Sequence, residues 1–234
     1  MAENSVTRVN ACHLRLAAAP WAYARDNAAA IDAHWHERLA AHPHEFNGAI
    51  HIVRDYRLDH GVLTANFLRT DFKSFMHWRG SGYPPAGALD AFGSAILRSA
   101  EGHVLLGRQR TGINAGLAYL PGGFIDARDV SAAGTIDIAA SISRELAEET
   151  HLDAAGLTPA MGFLVTRCGP LLSIGQEFRS ALSAGALRAA ILSSLARDPN
   201  PELADIVIIR RPSGTTGQNV PPYTQLILET ILPP

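Results

Sequence analysis

The spacing of apolar and polar positions changes period several times along the chain, and each change marks an element. Over residues 21–42, Ile31, Trp35 and Leu39 recur every four positions in an Ala-rich run, predicting an amphipathic helix ended by Pro43. Residues 50–56 and 62–68 alternate with the two-residue period of strands and are joined through Leu58-Asp59-His60-Gly61, so they read as a hairpin. Thr70 and Asp71 are placed to cap a short helix reaching Arg79, and the Gly, Ser and Pro of 80–85 read as a linker. Residues 1–20 are short and mixed, and they predict loose order apart from a strand at 12–17.

From Leu89 onward, 91–98 and 103–108 are strand-like around a turn at 99–102, and 117–120 forms a short strand before a Pro-Gly-Gly turn. After the next helix, 161–168 and 172–180 read as strands. A helix follows at 184–196 with Leu187, Ile191 and Leu195 on one face, then a strand at 206–210 and a Pro-started helix at 222–231. That order predicts an α/β protein with a mixed sheet packed between helices. It divides into a smaller α+β region over 1–85, a helix plus a β-hairpin, and a main domain over 86–234.

The densest chemistry lies in 120–152. A helix is predicted to start near 135–137, where Ile138, Ile142 and Leu146 form one apolar stripe. Glu145, Glu148 and Glu149 stand at i, i+3 and i+4, so their carboxylates share a neighbouring face. Three like charges in the last turns repel one another and oppose the helix dipole. A cation among them relieves both effects, and carboxylate oxygens from one rigid helix suit Mg²⁺ or Mn²⁺. Taken alone, the acidic run reads as readily as a solvated face.

The upstream context changes that balance. Pro121-Gly122-Gly123, a bridging loop, then Arg144-Glu145-Leu146-Ala147-Glu148-Glu149-Thr150 closely resembles the Nudix box. In that family a Gly, five residues, an acid and a spacer precede REUxEExGU, where U is aliphatic. Three departures stand out. Asp129 occupies the place of the outer Glu, VSAAGT lengthens the spacer before the helix, and His151 replaces the closing Gly. That Gly normally adopts the left-handed conformation after the helix. His tolerates positive φ better than most residues, at a cost of about 1 kcal/mol.

The resemblance implies a Nudix-type α/β/α sandwich and a divalent-metal-dependent hydrolysis of a nucleoside diphosphate linked to another moiety. Glu145, Glu148 and Glu149 would hold Mg²⁺ or Mn²⁺, the Gly123 carbonyl would add a ligand, and Arg144 would orient the carboxylates. The base stays open between one of these and a Glu from a later loop. Glu177 is the candidate late acid and metal ligand, although it reads more simply as an exposed strand carboxylate. Arg108 and Arg110 are candidates for substrate phosphates or, equally, surface ion pairs, and Asp126 lies close enough to the turn to support the ligands. Phe46-Asn47-Gly48 and Thr70-Asp71-Phe72-Lys73 are similar to the N-terminal part of UDP-sugar diphosphatase-like Nudix proteins. UDP-sugars are therefore the first substrate expectation, with ADP-ribose open. The alternative is a non-catalytic Nudix-fold module that binds a nucleotide for regulation. A homodimer built through the N-terminal strand pair stays open by analogy with the family.

Composition trims the remaining options. At 47% hydrophobic and 18% charged the chain is globular, and a net charge of −2 argues against a nucleic-acid partner or a polybasic membrane surface. Substrate phosphates would then need local Arg or a bound cation. Cys12 and Cys168 cannot make a disulfide framework. No apolar run spans a bilayer and no secretory pattern is present, so the expected compartment is the cytoplasm. Arg outnumbers Lys and Ala is abundant, as in GC-rich bacterial genomes. His34, His36, His42 and His44 pair at i, i+2, which points the rings apart on a helix and argues against zinc. Trp35 and Trp78 read as core, and neither Ser94 nor Ser173 sits in the strand-turn-helix context of a nucleophile.

Overall fold

Two sheets and six helices carry the periodic runs in the computed structural model, which describes residues 4–234. The chain opens with β1 (Asn4–Val9) and β2 (Ala11–Pro20), then α1 (Ala22–Asp26) and α2 (Ala28–Ala41). The hairpin β3 (Ala49–Asp59) and β4 (Val62–Asp71) leads into α3 (Phe72–Gly80). Next come β5 (Asp90–Arg98), β6 (Val104–Gln109), β7 (Ala118–Tyr119), β8 (Ile125–Asp126) and α4 (Ile138–Thr150). The chain finishes with β9 (Leu157–Pro159), β10 (Phe163–Cys168), β11 (Leu171–Ser180), α5 (Ala184–Leu195), β12 (Leu203–Ile209) and α6 (Pro222–Ile231).

Two local expectations need correction. The strand expected at 12–17 is the middle of β2, but residues 4–9, expected to be loosely ordered, form β1, and residues 1–3 of that stretch lie outside the described residues. The isolated sequence did not show this because β1 finds its partner, β10, far along the chain. The helix expected over 21–42 is broken at Asn27, whose φ of −113° and ψ of 16° leave the helical region. Its side-chain amide donates to the Tyr23 carbonyl, so a side chain competes with the backbone at the break. Of the expected stripe, only Ile31 is fully buried.

The larger sheet is mixed, with order β1-β10-β11-β5-β6-β12; β5 and β11 run parallel and the other neighbours on this path antiparallel. Alternation along its strands sends Ala95, Leu97 and Leu105 to one face, with Ile142 and Leu146 of α4 and Leu187 and Ile191 of α5. Ile96, Val104 and Leu106 face the other side, against Tyr223, Ile227 and Leu228 of α6. The result is an α/β/α sandwich. The second sheet, β2-β4-β3-β8, sends Leu14, Val53 and Phe67 into the same core as α4 and α5. Its opposite face is covered by Phe75, Met76 and Trp78 of α3. Among the described residues, no helix is long and apolar enough to cross a membrane.

Strands also tie the first 85 residues to the rest. β1 extends the larger sheet beside β10, and β8 joins the smaller sheet beside β3. The inserted VSAAGT closes a turn in which the Ser131 N–H donates to the Thr135 carbonyl at 2.8 Å. That turn docks on β2: the Leu16 N–H donates to the Gly134 carbonyl at 2.8 Å, and the Ile136 N–H to the Leu14 carbonyl at 3.0 Å.

Candidate active site

The sheet splits where the site lies. β5 and β6 pair only at Leu97↔Leu105 and Arg98↔Val104 before diverging. The Pro-Gly-Gly turn wedges into the gap, with the Ala95 N–H donating to the Pro121 carbonyl at 2.6 Å and the Gly93 N–H to the Gly123 carbonyl at 3.2 Å. A Cβ on Gly122 would lie 2.1 Å from the Gly93 carbonyl oxygen, and one on Gly123 2.3 Å from Glu145 Oε2. The first position meets fixed backbone and admits no side chain, whereas the second meets only the free end of Glu145, which a side chain there would displace.

Helix α4 supplies the acids. The Asp137 side chain caps it by accepting from the Ala140 N–H at 3.0 Å, and the stripe of Ile138, Ile142 and Leu146 fixes its rotation against the core. Burying side chains of this size contributes roughly 1.5–3 kcal/mol each. His151 ends the helix at φ +54°, the left-handed position expected from the sequence, and its Nε2 lies 2.9 Å from Asp198 Oδ2.

With that rotation, Glu149 points inward and is 3% exposed. Its Oε1 accepts from the Tyr119 hydroxyl at 3.0 Å and the Gly122 N–H at 3.2 Å, while its Oε2 is buried without a partner. Burial lifts this carboxyl well above the usual carboxylate range. The Gly122 N–H opposes the lift, the charge of Glu202 adds to it, the Tyr119 hydroxyl opposes it and Glu145 adds again. The Glu145 carboxyl is raised as well, chiefly by burial, against the pull of Arg144.

Arg144 binds three acids at once. It donates to Glu145 Oε1 at 2.5 Å, to Glu148 Oε2 at 3.3 Å and to Asp129 Oδ1 at 2.9 Å. Asp129 is 7% exposed, and its other oxygen accepts the Asp126 N–H, so it braces Arg144 and the loop. Arg128 approaches from the solvent side, 3.5 Å from Glu148 and 2.7 Å from Asp126. Among the described residues, no three His, Cys, Asp or Glu side chains converge as they stand into a metal-holding group. The two guanidiniums hold these carboxylates instead.

The turn, Glu145 and Glu149 open onto a cleft of about 670 Å³. Of the residues singled out in the sequence, Gly123, Glu145, Glu149 and Asp126 line it, with Phe46, Gly48 and Phe72 of the two N-terminal segments, and Arg144 and Glu148 stand beside it. Glu177 does not line it; its carboxylate pairs with Arg98 at 3.1 Å and Arg179 at 2.7 Å. Arg108 and Arg110 also lie outside the lining: Arg108 donates to the Gly116 carbonyl at 3.0 Å and bonds the side chain of Gln218, and Arg110 is exposed. The cleft's own cations are Arg79 and Arg128, and its late acid is the exposed Glu202, just before β12. Nothing local in the sequence marks Glu202 or Arg79. Asp90 also went unmarked; its one local signal is a lone charge at the head of the apolar run that becomes β5.

Asp90 is 5% exposed and accepts the Tyr83 hydroxyl at 2.9 Å. Burial pushes its carboxyl up from 3.8 to about 6, against the Tyr83 hydrogen bond and the charge of Arg79. A carboxyl whose folded value is raised stabilises fully below its unfolded value, and that stability is lost as pH rises through the folded one. Asp90→Asn is therefore expected to be nearly neutral near pH 4 and stabilising at pH 8 by up to about 3 kcal/mol. Urea unfolding at the two pH values checks this; an equal effect at both contradicts it.

No protein-family model matches the sequence, and no curated protein is similar to it. Solved structures are similar to part of the chain. A Nudix hydrolase from M. smegmatis, RenU, shares 16% identity over 60% of this chain and 82% of that one, with a TM-score of 0.41. The NUDIX domain of Shewanella oneidensis NrtR, complexed with ADP ribose, shares 17% identity over 64% and 91%, with a TM-score of 0.38. A bifunctional NMN adenylyltransferase/ADP ribose pyrophosphatase from Francisella tularensis shares 17% identity at a TM-score of 0.40. The match covers 65% of this chain and spans only 43% of the bifunctional protein.

Proposed function

We propose that the chain is a divalent-metal-dependent Nudix pyrophosphohydrolase that cleaves a nucleoside diphosphate linked to another moiety. The observation that carries this reading is Glu149: a buried carboxylate with an unpartnered oxygen, beside a glycine turn that leaves no room for a side chain, at the wall of a cleft. An unpaired buried charge is costly, and a cation at that oxygen offsets the cost. The donor set fits Mg²⁺ or Mn²⁺, since Glu145, Glu148, Glu149 and the Gly123 carbonyl offer only oxygen. When bound, such a cation neutralises the diphosphate and acidifies a water.

The chain's own groups supply the rest. Arg144 holds Glu145 and Glu148 in place, braced by Asp129. Tyr119 and the Gly122 N–H fix one oxygen of Glu149. Arg128, at the mouth, is free to exchange its carboxylate partners for a substrate phosphate oxygen. Glu202, an exposed carboxylate on the cleft wall, would take the proton from the attacking water.

Turnover of a panel of diphosphate-linked nucleosides, UDP-glucose and ADP-ribose among them, tests the reading with Mg²⁺ and with EDTA. Metal-dependent release of a nucleoside monophosphate is the expected result. A folded protein that binds nucleotide and turns over none of the panel would instead be a non-catalytic binding module.

A further inference from the structure

The acid end of the cleft leaves its other half unexplained. There Phe46, Phe72 and Phe124 form the wall, with Phe46 82% exposed at the mouth and the Phe72 and Phe124 rings edge to face at 6.1 Å. The same cleft is lined by the polar groups of Asp90, Arg79 and Asn114. Asp90 opens β5 three residues before Gly93, about 10 Å along the strand from the Gly-Gly turn.

Tyr83 occupies Asp90 Oδ2, whereas Oδ1 has no protein donor among the described residues and is not sealed from the cleft. Arg79 commits one nitrogen, Nη2, to Asn114 Oδ1 at 3.0 Å and the Ile113 carbonyl at 3.4 Å. Its charge still acts on Asp90. An acceptor and a charged donor thus line the same cleft as the three rings. Asp90, Glu149 and Glu202 disfavour a second anion there. Sugar hydroxyls would satisfy Asp90 and leave the rings uncovered. A planar ring carrying N–H beside C=O satisfies both, because an acidic ring N–H is a strong donor to a carboxylate and the carbonyl accepts from a guanidinium.

We propose, resting on the hydrolase reading of this same cleft, that Asp90 and Arg79 determine specificity by reading the N–H/C=O edge of a lactam nucleobase seated against Phe46, Phe72 and Phe124. Uracil and guanine both present that edge, and adenine and cytosine do not. Calorimetry of the full chain in EDTA with UMP, GMP, AMP, CMP and ribose 5-phosphate tests this without any turnover. UMP or GMP is expected to bind at least about tenfold more tightly than the other three. Asp90→Asn should weaken the preferred ligand about ten- to hundredfold and move the ranking toward CMP, whose ring nitrogen accepts from an amide N–H. Arg79→Gln should flatten the same ranking, which gives a second reading independent of the Asp90 variant.

Equal affinities, ribose 5-phosphate binding as tightly as the nucleotides, or a ranking unmoved by both substitutions would overturn the assignment. A lactam preference without metal-dependent hydrolysis would remove the enzyme reading and leave this one standing. Hydrolysis without base preference would do the reverse.

Discussion

Replacing Glu149 by Gln is expected to cut metal-dependent turnover by more than about 100-fold, since even residues that merely support metal ligands lose 10- to 100-fold when changed. The same substitution should make the protein more stable. Gln keeps an oxygen for the Tyr119 hydroxyl and the Gly122 N–H, and it replaces an unpartnered, buried carboxylate oxygen with an uncharged amide nitrogen. Because the folded carboxyl is raised above its unfolded value, its stabilising contribution is lost as pH rises, and the gain from Gln should be larger at pH 8 than at pH 5. Melting curves at both pH values, with and without Mg²⁺, read all of this. Wild type should gain from Mg²⁺ by ligand linkage, and the Gln variant should gain less. A variant that loses activity and stability together would mean that Glu149 is a structural acid.

The second large effect separates two neighbouring glycines. At Gly122 a methyl group would stand 2.1 Å from the Gly93 carbonyl oxygen and 3.0 Å from Ser94 Cα, both backbone atoms in β5. No side-chain rotation relieves that, so Gly122→Ala must push the turn out of the gap between β5 and β6. The expected loss is about 3 kcal/mol or more, at the top of the range for overpacking. At Gly123 the obstacle is the Glu145 carboxylate, the free end of a side chain. Gly123→Ala should therefore displace Glu145 and lower activity with a much smaller change in melting temperature. Urea denaturation of the two variants distinguishes them; similar midpoints would contradict the wedge.

What could be read in the sequence was whatever rests on local geometry. Asp137 caps α4, and Ile138, Ile142 and Leu146 bury one face, so the rotation that carries Glu145 and Glu149 was fixed by spacing alone. The left-handed His151 and the cap of α3 by Asp71 were legible for the same reason. Of Arg144's partners, Glu148 follows from the i, i+4 spacing, while Asp129 comes from outside the helix. What depended on topology was not legible. Arg79, Asp90 and Glu202 come from α3, β5 and the approach to β12, and only the splitting of the sheet brings them to one cleft. Glu177 shares a strand with Leu171, which does line the cleft, yet it sits six residues further along, beside Arg98. The inserted VSAAGT looked like a neutral lengthening of a loop. Its use, a backbone tie to Leu14 and Leu16 in the strand expected at 12–17, joins segments far apart in the chain and could not be read locally.

The polarity of β1 bears on how the chain is made. β1 pairs with β10, Val9 opposite Phe163, so during synthesis the first strand leaves the ribosome long before its neighbour exists. At about 5–20 residues per second the wait is on the order of 8–30 s. An apolar strand held open that long would recruit other nascent chains. Asn4, Ser5, Thr7 and Arg8 make this one a poor template for them, and the strand is completed only when the apolar Leu164 and Val165 arrive to hold it. In the finished protein β1 stays at the edge of the larger sheet, so the same polar side chains that suit the wait also keep that edge from pairing with another chain.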